Sequence, residues 1–190
     1  MAVKGGLYSE YALAAFLAKK TGKPVKWIES RREHLMASRP GRGASAFVKL
    51  YANKSGRILG MKGKVIIDSG AYSGGSGEFA ASFVGMQMTG PYKIENAYVE
   101  AYPVFTNKVV QGPYRGAGRP EAHFFIERMI DMLADKLKMD PVDVRLINTV
   151  NSEFKSPLGI DVPPAKEFLE DAISKLNYRK LYKEKPGFSF

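Results

Sequence analysis

Between residues 10 and 20 the apolar positions fall at helical spacing, with Leu13, Phe16 and Leu17 on one side, Ser9 ahead of the run and Gly22 as its stop. The alanines in this run predict a closely packed helix. Pro24 opens a short β-type segment, residues 25–28, and Arg31, Arg32 and Glu33 suit a helical turn. The period then changes from helical to alternating. Ala46, Val48 and Leu50 alternate with Phe47, Lys49 and Tyr51, residues 58–68 are again extended in type, and Asn53-Lys54-Ser55-Gly56 between them reads as a turn, so a hairpin is predicted. Gly70, Gly74, Gly75 and Gly77 follow in a stretch too rich in glycine for a regular element and suited to close approach by a ligand or another backbone.

Residues 79–88 read as a short helix ended by Gly90-Pro91, and residues 97–105 as a strand whose Pro103 points to a sheet edge or a bulge. A loop from Gln111 to Arg119 leads into a helix opened by Pro120-Glu121, proline being favoured in a first turn. Along that helix Ile126, Met129, Ile130, Leu133 and Leu137 take one face, and Glu127, Arg128, Asp131 and Asp135 the other. Asp140-Pro141 caps a second helix reaching Ile147, residues 151–164 with Pro157, Gly159, Pro163 and Pro164 read as a long loop, and residues 165–176 as a last helix. No internal repeat or low-complexity tract interrupts this order. Short strands and helices without regular β-α-β alternation predict an α+β fold, mixed short sheets with packed helices. One main folding unit is expected, residues 1–150, with residues 151–190 as a loop and helical extension of it.

Composition adds mainly exclusions. Hydrophobic residues make up 45% and charged residues 25% of the chain, which fits a globular protein. No apolar run reaches the roughly 18 residues of a membrane span and the first residues lack a signal-peptide pattern, so no membrane association and a cytoplasmic setting are expected. The absence of cysteine removes disulfides, thiolate metal sites and iron–sulfur ligation. The two histidines, His34 and His123, are too few for a His-rich metal site and are expected to be solvated or packed. No metal ligand is assigned in this chain. The net charge of +10 is concentrated around Lys19, Lys20, Lys23, Lys26, Arg31, Arg32, Arg39 and Arg42, against Glu29 and Glu33, with a smaller excess at Lys175, Arg179, Lys180, Lys183 and Lys185. Such a field suits an anionic cofactor, an acidic partner or a solvated face; no nucleic-acid-binding motif accompanies it, and no nucleic acid is expected.

The chemistry concentrates in the loop before the Pro120 helix. Its glycines offer backbone N–H groups beside a helix N-terminus, and Arg115 and Arg119 add two guanidinium groups able to hold oxyanions. The alternative is a tight loop whose arginines pair with nearby carboxylates. The stretch lacks the lysine followed by Ser or Thr of a phosphate-binding loop, and its glycine spacing is not that of a dinucleotide fingerprint.

Gly112-Pro113-Tyr114-Arg115-Gly116-Ala117-Gly118-Arg119-Pro120-Glu121, followed by Ile126-Glu127-Arg128 and Asp140-Pro141-Val142-Asp143-Val144-Arg145, closely resembles the active-site loop and following helices of molybdopterin-binding large subunits in the xanthine dehydrogenase, aldehyde oxidase and carbon monoxide dehydrogenase superfamily. Lys4-Gly5-Gly6-Leu7-Tyr8-Ser9-Glu10-Tyr11, Gly22-Lys23-Pro24-Val25-Lys26-Trp27-Ile28-Glu29-Ser30-Arg31, Asp68-Ser69-Gly70-Ala71-Tyr72 and Gly90-Pro91-Tyr92-Lys93-Ile94 agree in order with other family segments. The likeness covers nearly all of the chain and weakens after about Asn151. It implies a molybdenum–molybdopterin cofactor, oxidation of an aldehyde or heteroaromatic substrate, and electrons leaving through iron–sulfur and FAD-containing partner subunits. Tyr114, Arg115, Gly116, Ala117 and Gly118 would lie against the pterin, and Arg115 near the metal, where a fixed positive charge stabilises charge developing on oxygen.

The same resemblance implies that parts are missing. The family's Gly-Gly-x-Phe-Gly loop would precede Lys4, and its catalytic glutamate lies near the far end of a subunit several times longer; Gly77-Glu78 imitates that dipeptide in the surroundings of another family segment. Copper–molybdenum carbon monoxide dehydrogenases carry a cysteine where this chain has Gly116, and purine-oxidising enzymes a phenylalanine where it has Ala117. The chain is therefore expected to be a fragment of a molybdenum hydroxylase large subunit, inactive in isolation and prone to self-association. The alternative is a non-catalytic remnant or assembly module that keeps the fold without the activity.

Overall fold

In a computed structural model of the chain, which describes residues 8–72 and 77–184, the elements run α1 (Ser9–Thr21), α2 (Arg31–Ala37), β1 (Ala44–Ala52), β2 (Ile58–Gly70), α3 (Gly77–Gln87), β3 (Ala97–Phe105), α4 (Arg119–Leu137), α5 (Pro141–Asn148), β4 (Phe154–Lys155), β5 (Asp161–Val162), α6 (Lys166–Lys175) and α7 (Tyr178–Lys183). This is the mixed α+β architecture that the sequence predicts. Strands β1, β2 and β3 form one sheet in that order, and β4 and β5 a second, antiparallel one with Phe154 opposite Val162. In β1 the alternation of Ala46, Val48 and Leu50 with Phe47, Lys49 and Tyr51 becomes an alternation of half-buried and exposed positions. Strand β2, central in its sheet, is buried at Ile58, Met61, Val65 and Ile67. The turn between β1 and β2 is held by the Asn53 carboxamide, which accepts from the N–H groups of Ser55 and Arg57. Strand β3 lies at the sheet edge, a position where Pro103 is tolerated.

The chain divides into two units, each built from three stretches of sequence. The first comprises Met1–Phe47, Lys64–Gly85 and Glu100–Ala122. Its buried apolar side chains are Val65, Ile67, Ala81, Val84, Val110 and Ala122. Helix α2 starts with a reciprocal cap in which Glu33 N–H donates to Ser30 Oγ at 3.2 Å and Ser30 N–H to Glu33 Oε2 at 2.7 Å. Helix α1 ends where expected, at Gly22 with φ 62°. It is not the closely packed helix that its alanines predict, because none of its residues is buried and Leu13 and Phe16 are more than half exposed. Periodicity identifies an apolar side but not what covers it. Residues 25–28 form no strand, since an extended segment becomes one only by pairing, and Trp27 and Ile28 stand exposed. Gly74 and Gly75 of the glycine-rich stretch lie outside the described residues, as do Lys4, Gly5, Gly6, Leu7 and Lys185.

The second unit comprises Val48–Gly63, Met86–Val99 and His123–Phe190. Its core is Ile58, Met61, Met88, Tyr92, Ile94, Ile126, Ile130, Ala134, Val144, Val150 and Val162. The predicted stripe of α4 is thus buried at Ile126 and Ile130, with Ala134 completing the i, i+4 row. Tyr92 donates its hydroxyl to Glu127 at 2.6 Å, and Arg145 clamps Glu127 and Asp131 at 2.7 and 2.9 Å. Burial, then the Glu127 carboxylate, pushes the Tyr92 phenol far up, so it stays a neutral donor. Asp140 caps α5 by accepting from Val142 N–H at 2.8 Å. The predicted long loop at 151–164 contains the β4–β5 pair, turned by Gly159 at φ 85°. Two-residue strands are too short to show an alternating pattern. Helix α7, absent from the sequence reading, follows α6 after Asn177 at φ 49°.

Candidate functional site

The loop singled out by sequence belongs to the first unit and is built between two other segments of it. Gln111 N–H donates to the Ser69 carbonyl at 3.1 Å and Gly112 N–H to the Pro40 carbonyl at 2.9 Å, so the loop's start is fixed by the end of β2 on one side and residues 40–43 on the other. The fit leaves no room for side chains. A Cβ on Gly112 would lie 2.8 Å from Arg39 Cβ, and one on Gly41 3.0 Å from the Gly112 carbonyl oxygen.

Three consecutive residues then adopt positive φ: Gly116 at 95°, Ala117 at 45° and Gly118 at 92°. Two turns carry the chain into α4, Ala117 N–H to Tyr114 carbonyl at 2.7 Å and Arg119 N–H to Gly116 carbonyl at 3.1 Å. The N–H groups of Arg115, Gly116 and Gly118 donate to no acceptor among the described residues. Tyr114 and Arg115 are exposed, and Gly118 is buried.

Among the described residues the arginines of the loop do not pair with carboxylates. Among the described residues the Arg115 side chain makes no ion pair, and Arg119 lies 4.8 Å over the Phe83 ring with a long contact of 3.4 Å to the Gly116 carbonyl. The nearby carboxylate, Glu121 in the first turn of α4, is taken by Arg42 at 2.9 Å. Arg42 also donates to the Arg115 carbonyl and lies 5.2 Å over the Tyr114 ring. Sequence reasoning counted Arg42 only as part of a basic stretch. Its partners are more than 70 residues away, and no local pattern marks such a contact.

Asp68 was also missed as more than a motif letter. Its carboxylate, 10% exposed, accepts from Gly70 N–H at 2.9 Å and Thr106 Oγ1 at 2.6 Å and pairs with Lys108 at 2.8 Å, joining the end of β2 to the chain that leads into the loop. Burial pushes its pKa up, but the hydrogen bonds from Lys108, Thr106 and Gly70 together outweigh burial and hold it below the ordinary carboxylate value. A carboxylate lowered on folding stabilises the fold above its unfolded pKa, and that contribution is lost as pH falls through the folded pKa. Asp68→Asn is therefore expected to be less stable than the parent at neutral pH, with the difference closing below about pH 4. Urea titrations across that range check this; a difference independent of pH would contradict it.

A cavity of about 20 Å³, enough for one water, is enclosed by residues that include Gly41, Arg42, Asp68, Gln111, Tyr114, Gly118 and Glu121. A larger one of about 530 Å³, lined by Arg57, Lys93, Lys166 and others, belongs to the second unit and includes no loop residue. His34 pairs with Glu29 at 2.8 Å, and Glu78 stands in the first turn of α3. Among the described residues no group of three or more His, Asp or Glu side chains is placed to hold a metal, and no helix is long and apolar enough to cross a membrane.

Residues 3–149 match the family described as a molybdopterin cofactor-binding domain. The carbon monoxide dehydrogenase large chain of Afipia carboxidovorans is 36% identical over 163 residues, which cover 82% of this chain and 20% of that protein. The 6-hydroxypseudooxynicotine dehydrogenase complex subunit gamma of Paenarthrobacter nicotinovorans is 32% identical over 151 residues, 80% of this chain and 19% of that one. The crystal structure of quinoline 2-oxidoreductase from Pseudomonas putida 86 superimposes with a TM-score of 0.88 at 27% identity, covering 96% of this chain and 24% of the other. The chain thus spans about a fifth of the length of the curated relatives it matches.

Proposed function

Because the chain belongs to the molybdopterin cofactor-binding domain family of molybdenum hydroxylase large subunits, we propose that loop 114–118 forms one wall of a molybdenum–molybdopterin site in an oxidoreductase acting on an aldehyde or heteroaromatic substrate. The observation that carries this reading is the loop itself. An exposed guanidinium and the N–H groups of Arg115 and Gly116, none with a partner among the described residues, present positive charge and bare backbone to an anionic group where Gly116 turns the chain at positive φ. Tyr114, Arg115, Gly116, Ala117 and Gly118 would hold the cofactor, which when bound supplies the two-electron redox chemistry. Arg115 would orient its anionic part and stabilise negative charge developing on substrate oxygen. These 190 residues contain no cysteine to ligate an iron–sulfur cluster, and partner subunits are proposed to carry the iron–sulfur and flavin groups.

The substrate class is narrowed by Gly116. A Cβ there would lie 2.8 Å from Pro120 Cδ, in a conformation with φ 95°, so a cysteine able to hold copper does not fit this loop. That favours a heteroaromatic or aldehyde substrate over carbon monoxide.

The described chain gives the cofactor no enclosure. Small-molecule sites usually measure about 300 Å³ or more, against about 20 Å³ beside the loop. The 190-residue chain made alone in a molybdenum-competent host is therefore expected to fold, to retain no molybdenum or pterin, and to self-associate through exposed side chains such as Phe16 and Trp27. Metal analysis, pterin assay and light scattering check this; stoichiometric molybdenum on the isolated chain would overturn the one-wall reading.

A further inference from the structure

We propose that Arg42 is the positioning residue of this site: its guanidinium holds loop 114–118 in the conformation that keeps the Arg115 side chain available to an anionic group, an inference that rests on the cofactor reading above. Three interactions converge on one planar cation. Nη1 donates to Glu121 at 2.9 Å, Nη2 donates to the Arg115 carbonyl, and the plane lies 5.2 Å over the Tyr114 ring. They fix the backbone beside Arg115, the side chain preceding it and the first turn of α4.

The loop needs such a clamp. Ala117 at φ 45° and Arg42 at φ 73° both hold backbone conformations that L side chains rarely adopt, and these persist only where the surroundings over-determine them. Without Arg42, what holds residues 114–118 is two short-range turns, close packing at Gly118 and the anchor at Gly112. Charge points the same way. Glu121 lines the same small cavity as Tyr114 and is 12% exposed, so stripping its cation leaves a largely desolvated carboxylate beside the loop, where it competes for Arg115 or repels an anionic ligand. Lysine is a poor substitute, because an ammonium cannot make two divergent donations and also lie flat on a ring.

Trypsin reads the loop directly, since it cleaves after Arg115. The 190-residue chain and its Arg42→Met, Arg42→Lys and Glu121→Gln variants are digested under native conditions, and cleavage after Arg115 is compared with cleavage after Arg128, inside α4. Arg42→Met and Glu121→Gln are expected to speed cleavage after Arg115 about tenfold, as local opening becomes easier. Cleavage after Arg128 should stay unchanged, Arg42→Lys should be intermediate, and the double variant Arg42→Met with Glu121→Gln no faster than the worse single one. Unchanged cleavage after Arg115, or equal acceleration at both sites, would overturn the proposal. Cofactor content of the loaded large subunit separates the two readings. Faster cleavage with molybdenum and pterin unchanged refutes the loop's cofactor role and leaves Arg42 as its clamp, whereas unchanged cleavage with cofactor lost on Arg115→Ala refutes the clamp and leaves the cofactor role.

Discussion

Gly118→Val is expected to destabilise the chain by about 3–5 kcal/mol, from backbone strain and overpacking together. Gly118 sits at φ 92°, and a Cβ on it would lie 2.7 Å from the Ala80 carbonyl oxygen, 3.0 Å from Val84 Cγ2 and 3.1 Å from Val84 N. Two of these neighbours are backbone atoms of α3 and cannot swing aside. Gly22 supplies the control. Its φ of 62° is also left-handed, but a Cβ there meets nothing within 4 Å, so Gly22→Ala should cost only the conformational part, about 1 kcal/mol. Urea unfolding of both variants separates strain from close approach. Equal costs at the two positions would mean that α3 does not pack on the loop as described.

Asn148→Leu is expected to cost about 3 kcal/mol or more, although leucine has the same branched skeleton of side-chain heavy atoms. The Asn148 side chain, 2% exposed, accepts from Ile58 N–H at 2.8 Å and donates to the Gly56 and Val144 carbonyls at 2.8 and 2.7 Å. Leucine leaves the N–H of Ile58 and the carbonyl of Gly56 without a partner, and each buried orphan costs about 1–3 kcal/mol. Asn148→Asp tests the direction of these bonds. It replaces the amide that donates twice with an oxygen facing two carbonyls, and should be at least as damaging at neutral pH. An aspartate variant as stable as the parent would contradict this hydrogen-bond assignment.

What the sequence shows and hides follows from the range of the interactions involved. The alternation in β1, the Gly22 stop, the helical turn at Arg31, Arg32 and Glu33 and the Asp140-Pro141 start of α5 are written in residues a few positions apart, and each has its predicted place. The loop was legible because its glycines, its arginines and Pro120 are consecutive. Arg42, Asp68 and Asn148 were not, because each ties in a partner far along the chain, Glu121, Thr106 and Gly56 at 79, 38 and 92 residues' distance, and an isolated Arg, Asp or Asn has no signature for such a contact. The two errors around α1 have the same origin. Residues 25–28 have the composition of a strand and α1 the spacing of a packed helix, but pairing and burial depend on what lies opposite, which neither segment encodes.

The central claim, that loop 114–118 meets the cofactor, is tested most directly by hydrogen exchange at its own amides. The N–H groups of Arg115 and Gly116, neither residue buried, have no acceptor among the described residues, so they should exchange quickly in cofactor-free large subunit carrying this sequence. In the molybdenum- and pterin-loaded subunit they are expected to slow by about tenfold or more, while amides of the α4 interior such as Ile130 stay unchanged. Equal exchange at Arg115 and Gly116 in the loaded and cofactor-free protein would contradict the assignment.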